Sequence, residues 1–183
     1  MSAPLSEQGR SVLLAVARRS IACHLEGAPF EPAVREPELL QPLGAFVTLK
    51  TADGDLRGCI GHLTPAEPLV ETVARVAVAA AVEDPRFGAV TRDELDGLRV
   101  EVSVLSPYEP IAPDAVEIGR HGLLIRGQGR SGLLLPQVAP EHGLDREAFL
   151  AAVCRKAGLP GDAWRDPACA LCGFTADVFG EET

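Results

Sequence analysis

Gly44-Ala45-Phe46-Val47-Thr48-Leu49-Lys50, then Asp53-Gly54, then Leu56-Arg57-Gly58-Cys59-Ile60-Gly61 is the stretch that decides the fold. Two runs of strand-forming residues flank an Asp-Gly turn, which spells a β-hairpin. Two glycines within three residues of the returning strand weaken it, so something must want the backbone accessible there. Upstream, a helix is expected from Ser6, with Leu14, Ala17, Ile21 and Leu25 on one face, stopped at Gly27-Ala28-Pro29. The Pro-rich stretch from Pro29 to Pro42 reads as an extended crossover. Downstream, Thr64-Pro65-Ala66-Glu67 has the form of a capping box opening a helix that carries Leu69, Val73, Val76 and Ala80. Thr91-Arg92-Asp93-Glu94 is a second box, and Leu98 to Val104 alternates as a half-buried antiparallel strand.

Two further strands, Gly122 to Arg126 and Gly132 to Leu135, are joined by Gly127-Gln128-Gly129-Arg130. Asp145 caps a helix carrying Phe149, Leu150 and Val153, and a last strand runs from Cys172 through Val178. Helices and hairpins without regular βαβ alternation predict an α+β fold, a mainly antiparallel sheet flanked by helices.

Composition narrows the function. The 183 residues carry a formal charge of −9, and 46% are hydrophobic. That is enough to bury one sizeable core, as a single domain or two closely joined lobes. The acidic balance argues against an electrostatic footprint for nucleic acid, which needs clustered Lys and Arg. The longest apolar run, Val76 to Val82, is too short to span a bilayer. No secretory pattern is visible at the N-terminus, and five cysteines form no dense framework. Reduced thiols in the cytoplasm are the expectation.

Motifs divide on context. Gly127 to Gly132 matches G-x-G-x-x-G, but it leads into Leu133-Leu134-Leu135-Pro136 rather than a helix, so it reads as a hairpin and not a dinucleotide site. Cys169-Ala170-Leu171-Cys172 lacks the second ligand pair that zinc needs at ribbon or finger spacing; Cys154 and His142 could complete a set, but Cys154 also fits the apolar face of its helix. No metal and no cofactor are expected. His24 sits near a helix end, whereas His121 precedes an apolar strand and stays open as a functional residue.

Chemistry concentrates around Cys59. Gly58 and Gly61 give the thiol little steric cover, and Arg57 and His62 are basic neighbours that would favour a thiolate. Strand alternation puts Arg57 on the face of Cys59, and His62 joins them only if Gly61 breaks the strand. The competing reading makes Cys59 a small buried hydrophobe. Arg86, beside Asp84, either anchors a ligand or forms a surface ion pair, and Glu101 lies opposite the valines of its strand.

Leu56-Arg57-Gly58-Cys59-Ile60-Gly61 resembles the hallmark of the AMMECR domain family, the A component of the AmmeMemoRadiSam system. The similarity extends through Asp84-Pro85-Arg86-Phe87, Glu101 to Pro107, His121-Gly122-Leu123, Gly132 to Val138 and Phe174 to Phe179, in order. It implies one domain over 1–183, with a larger and a smaller lobe. It also implies a Memo-like and a radical-SAM protein as partners. On that footing two functions compete. One is a thiol-dependent enzyme acting on a small molecule, with Cys59 as nucleophile, His62 or His121 as base, and Arg57, Gly58, Gly61, Arg86 and Glu101 around the substrate. The other is a non-catalytic binding component of the same system; a nucleic-acid or protein modification factor fits the charge less well. The sequence departs from the family pattern at Leu144 and at Cys172-Gly173, which weakens any role for the C-terminal part.

Overall fold

A computed structural model describes residues 5–63 and 66–181. The chain divides into two compact units. One holds the residues up to Leu105 and takes back the chain from Asp177; the other is Ser106–Ala176. Each has its own sheet and core.

In the first unit, helix α1 (Glu7–Leu25) starts where Ser6 Oγ accepts the Gly9 N–H. Strands β1 (Ala45–Lys50) and β2 (Leu56–His62) form the predicted hairpin, with Gly54 at φ 91° in its turn. Helix α2 (Leu69–Val82), the short α3 (Arg92–Leu95) and strand β3 (Arg99–Leu105) follow. The sheet closes with a C-terminal strand, Ala176–Gly180, in the order β2-β1-β3 and then this last strand. Strand β1 is buried at every second residue, so Ala45, Val47 and Leu49 meet the helices while Phe46, Thr48 and Lys50 face the other way. Leu13, Ile21, Leu69, Val73, Val76, Val100 and Val102 complete this core. Arg18 fastens the C-terminal strand's end to α1: its Nε and Nη2 each reach Glu181 at 2.6 Å, and Nη1 reaches the Leu95 carbonyl at 3.0 Å.

The cap expected at Thr64-Pro65 lies outside the described residues. Helix α2 begins at Leu69, with Pro68 in the cap position. Glu67 therefore stands before the helix rather than in its first turn, and its carboxylate accepts from Arg75 Nε at 2.9 Å. The Pro-rich crossover also contains a 3-10 turn, Pro37–Leu40, which seats Leu39 in the core. The Thr91–Glu94 box forms as expected, capping α3.

In the second unit, strand β4 (Glu109–Pro110), hairpin β5 (Gly122–Gly127) and β6 (Arg130–Leu134), and strand β7 (Ala170–Phe174) form a sheet in the order β4-β7-β5-β6. The glycine-rich segment is a tight turn with Gln128 at φ 51° and Gly129 at φ 72°, the left-handed pair that a two-residue hairpin loop requires. A one-turn helix α4 (Val138–Glu141) precedes α5 (Arg146–Lys156), which Asp145 caps through the Ala148 N–H. Phe149, Leu150 and Val153 of α5 pack with Leu123 and Ile125. The single strand expected from Cys172 to Val178 is two: β7 belongs to this sheet, and β8, the Ala176–Gly180 strand, belongs to that of the first unit. Thr175 is the residue where the chain changes sheets. The architecture is α+β with antiparallel pairing.

Candidate functional site

Strand β2 is the edge of its sheet, and its register puts Cys59 directly across from Thr48, which in turn lies across from Glu101 on β3. Residues paired this way point to one side of a sheet. Cys59, Thr48 and Glu101 therefore form a row on the face turned away from the helices. The Thr48 hydroxyl donates to Cys59 Sγ at 3.2 Å, and Lys50 Nζ donates to Glu101 at 2.8 Å. Cys59 is half-buried.

An edge strand exposes backbone groups that need partners. At Cys59 they find side chains. The Cys59 N–H donates to Asp84 Oδ2 at 2.9 Å, and Arg86 Nη2 donates to the Cys59 carbonyl at 3.4 Å. Arg86 also donates to Asp84 through Nε at 3.0 Å, Nη2 at 2.7 Å and its backbone N–H at 3.1 Å. Asp84 and Arg86 thus stand where a neighbouring strand would. The Asp84 side chain is only 2% exposed and that of Arg86 is 54%. The pair is no surface ornament, since one partner is buried against the strand. The Arg86 guanidinium holds the Asp84 carboxyl well below the usual carboxylate range; burial opposes this, and the Cys59 and Arg86 N–H groups reinforce it.

Arg57 has a different task from the one its sequence position implied. The register shifts between Leu49 and Lys50, so Arg57 has no opposite residue on β1. Its Nε and Nη2 reach Glu94 at 3.1 and 3.3 Å, and Nη1 and Nη2 reach the Gly88 and Ala89 carbonyls at 2.9 and 3.4 Å. Four contacts use the planar fork to tie β2 to the loop after α2. The Thr91 N–H and then Arg57 hold the Glu94 carboxyl below its ordinary value. Because an ammonium cannot reproduce the fork, Arg57→Lys is expected to cost about 1–2 kcal/mol in chemical denaturation. An unchanged midpoint would contradict that role.

The two glycines answer to packing. A β-carbon on Gly58 would lie 2.1 Å from the Ala80 carbonyl oxygen of α2, and one on Gly61 would lie 2.1 Å from the Phe46 ring. Since β2 continues to His62, Gly61 does not break the strand. His62 pairs with Ala45, a fully buried core position, and so takes the side opposite Cys59. Sequence reasoning passed over Thr48; only the hairpin register could have found it, and the bulge obscures that register.

His121 belongs to the second unit. It is held in the turn 117–121, where its Nδ1 accepts the Glu117 N–H at 3.0 Å. Cys154 is fully buried, and that burial pushes its thiol up. Cys169 packs against the same core, and Cys172 lies across from Leu124 on β5. Among the described residues no group of three or more His, Cys, Asp or Glu side chains could hold a metal ion, and no helix is long and apolar enough to cross a membrane.

The AMMECR1 family model matches residues 14–179. A protein of Thermococcus gammatolerans is 45% identical, covering 97% of this chain and 93% of its own. Protein MK0488 of Methanopyrus kandleri is 43% identical, covering 100% and 93%. The crystal structure of the uncharacterized protein PH0010 from Pyrococcus horikoshii superposes with a TM-score of 0.84 at 44% identity, over 97% of this chain and 94% of that one. A family model spanning most of the chain, and relatives 43% and 45% identical along nearly all of it, show that this chain belongs to the AMMECR1 family.

Proposed function

We propose that this protein is a non-catalytic binding component that works in the cytoplasm with a Memo-like and a radical-SAM partner. One observation carries the reading: in the unit that contains Cys59, the groups expected to activate the thiol are committed elsewhere. Arg57 is engaged by Glu94 and two carbonyls, and His62 takes the opposite side of the strand. The sulfur's neighbour is the Thr48 hydroxyl, which offers a hydrogen bond but no general base. A braced edge strand with a half-buried polar row suits presentation of a fixed surface. The partners themselves rest on the AmmeMemoRadiSam resemblance.

Anaerobic affinity measurements with the two purified partners, on wild type and Cys59→Ser, test this. Serine keeps the shape, so association is expected within about twofold of wild type. Absence of wild-type association would remove the reading. Iodoacetamide labelling of Cys59 separates the alternative: a rate more than about tenfold above that of a free thiol would mark an activated nucleophile and favour the enzyme.

A further inference from the structure

Between α1 and the 3-10 turn, residues 29–35 run as an extended strap outside any helix or sheet. Burial along it alternates with the period of a strand: Phe30, Pro32 and Val34 are half-buried, and Glu31, Ala33 and Arg35 are exposed. Pro32 keeps Glu31, the residue before it, out of the helical region. The strap is anchored, because Phe30 and Val34 pack on the core of the first unit and the Arg19 guanidinium lies 5.6 Å from the Phe30 ring centroid. Beside it runs a groove of about 530 Å³, lined by the strap and by Val12, Ala15 and Val16 of α1.

This segment has the shape of a strand without its partners. Among the described residues, no hydrogen bond engages the backbone N–H or C=O of Glu31 or Ala33. In an extended chain, residues two apart present these groups at one edge, so Glu31 and Ala33 offer two donors and two acceptors in line. The opposite edge is interrupted, since Pro32 has no N–H. The first edge is complementary to itself. When two straps lie antiparallel with Pro32 on the two-fold axis, Glu31 faces the copy's Ala33 and exchanges two hydrogen bonds with it; the symmetric pair adds two more. Pro32 then meets Pro32 where the ladder needs no N–H.

The exposed faces match as well. Neither Glu31 nor Arg35 has an ion-pair partner among the described residues. In the paired arrangement each Glu31 is directly opposite an alanine and diagonal to the copy's Arg35, and the four charges around the axis sum to zero.

We propose that two copies of this chain associate by antiparallel pairing of these straps about Pro32. The interface lies away from Cys59 and needs no other protein.

Sedimentation equilibrium of the full chain is expected to show monomer and dimer with a micromolar Kd, as suits a few hydrogen bonds over a small contact. Amide exchange locates the contact: the Glu31 and Ala33 N–H groups should slow as protein concentration rises, while that of the exposed Ala52 should not. Ala33→Pro removes one donor from each copy and keeps the strap extended, so it should weaken association by about tenfold or more. Arg35→Glu places four carboxylates around the axis and should weaken it by a similar factor. Adding Glu31→Arg to that variant restores neutrality and should recover the wild-type Kd within about threefold. All three side chains are exposed, so the substitutions leave the fold intact. The proposal is overturned by a monomer up to about 1 mM, by a dimer that these variants leave unchanged, or by strap amides that slow only when a different protein is added.

Discussion

Gly58→Ala is expected to lower the melting temperature by about 6–12 °C, which corresponds to about 3 kcal/mol at the usual 2–4 °C per kcal/mol for a chain of this size. The added carbon would sit 2.1 Å from the Ala80 oxygen and 3.1 Å from the Ala80 carbonyl carbon. Both atoms are helix backbone, so no side chain can rotate aside; α2 itself must move. That helix approaches so closely because Ala77, Ala79, Ala80 and Ala81 keep its second half thin, and all four are buried. Pushing it outward opens gaps beneath Val73 and Val76 as well. Gly88→Ala is the control: a β-carbon added there would meet nothing within 4 Å, and its effect should stay within about 0.5 kcal/mol. Equal melting curves for the two variants would show that strand and helix do not need the missing carbon.

Much of this arrangement was legible because its causes are local. Ser6 and Thr91 announce helix starts through their own side chains, and the alternation of Val100, Val102 and Val104 reports one buried face. The hairpin follows from Asp53-Gly54 between two apolar runs. Other features depend on distant residues. Counting back from that turn without a bulge would set Cys59 opposite Val47 and turn it toward the core; the shift at Leu49/Lys50 moves it to Thr48 and the other face. Nothing in the residue types around Arg57 announces that extra residue. Thr175 likewise lies within an apolar run, yet the chain leaves one sheet there and joins another.

The candidate site was legible as a neighbourhood and less so as a set of roles. Arg57, Cys59, Asp84 and Arg86 do converge. Their spacing suggested Arg57 serving the thiol and Arg86 a ligand or a surface pair, whereas both cations hold carboxylates and backbone. The Asp84-Arg86 pair reads from sequence as an exposed ion pair, since residues two apart in a polar loop usually are. What buries Asp84 is the edge of a strand that begins more than two dozen residues earlier, and no local pattern encodes that packing.

Asp84→Asn tests that packing. At neutral pH it is expected to cost about 2–3 kcal/mol, because an amide keeps one acceptor oxygen and turns an NH2 toward donors that need another. Either the Cys59 N–H or the Arg86 fork then loses its partner inside the protein. The acid dependence has a definite sign. Association with Arg86 depresses the Asp84 carboxyl in the folded chain, so its contribution is fully present above the unfolded value of about 3.9. It is lost as pH falls from there through the folded value, below the usual carboxylate range. The stability difference between wild type and variant should therefore be flat from neutrality down to about pH 4 and shrink below it. A difference that grows on acidification would mean that the carboxyl is not held ionised by its partners. Amide exchange supplies the local readout, because the Cys59 N–H is protected by the Asp84 oxygen and not by a neighbouring strand. Faster exchange at Cys59 in Asp84→Asn, with β1 amides unchanged, would place the lost energy at the braced edge; unchanged exchange at Cys59 would place it elsewhere.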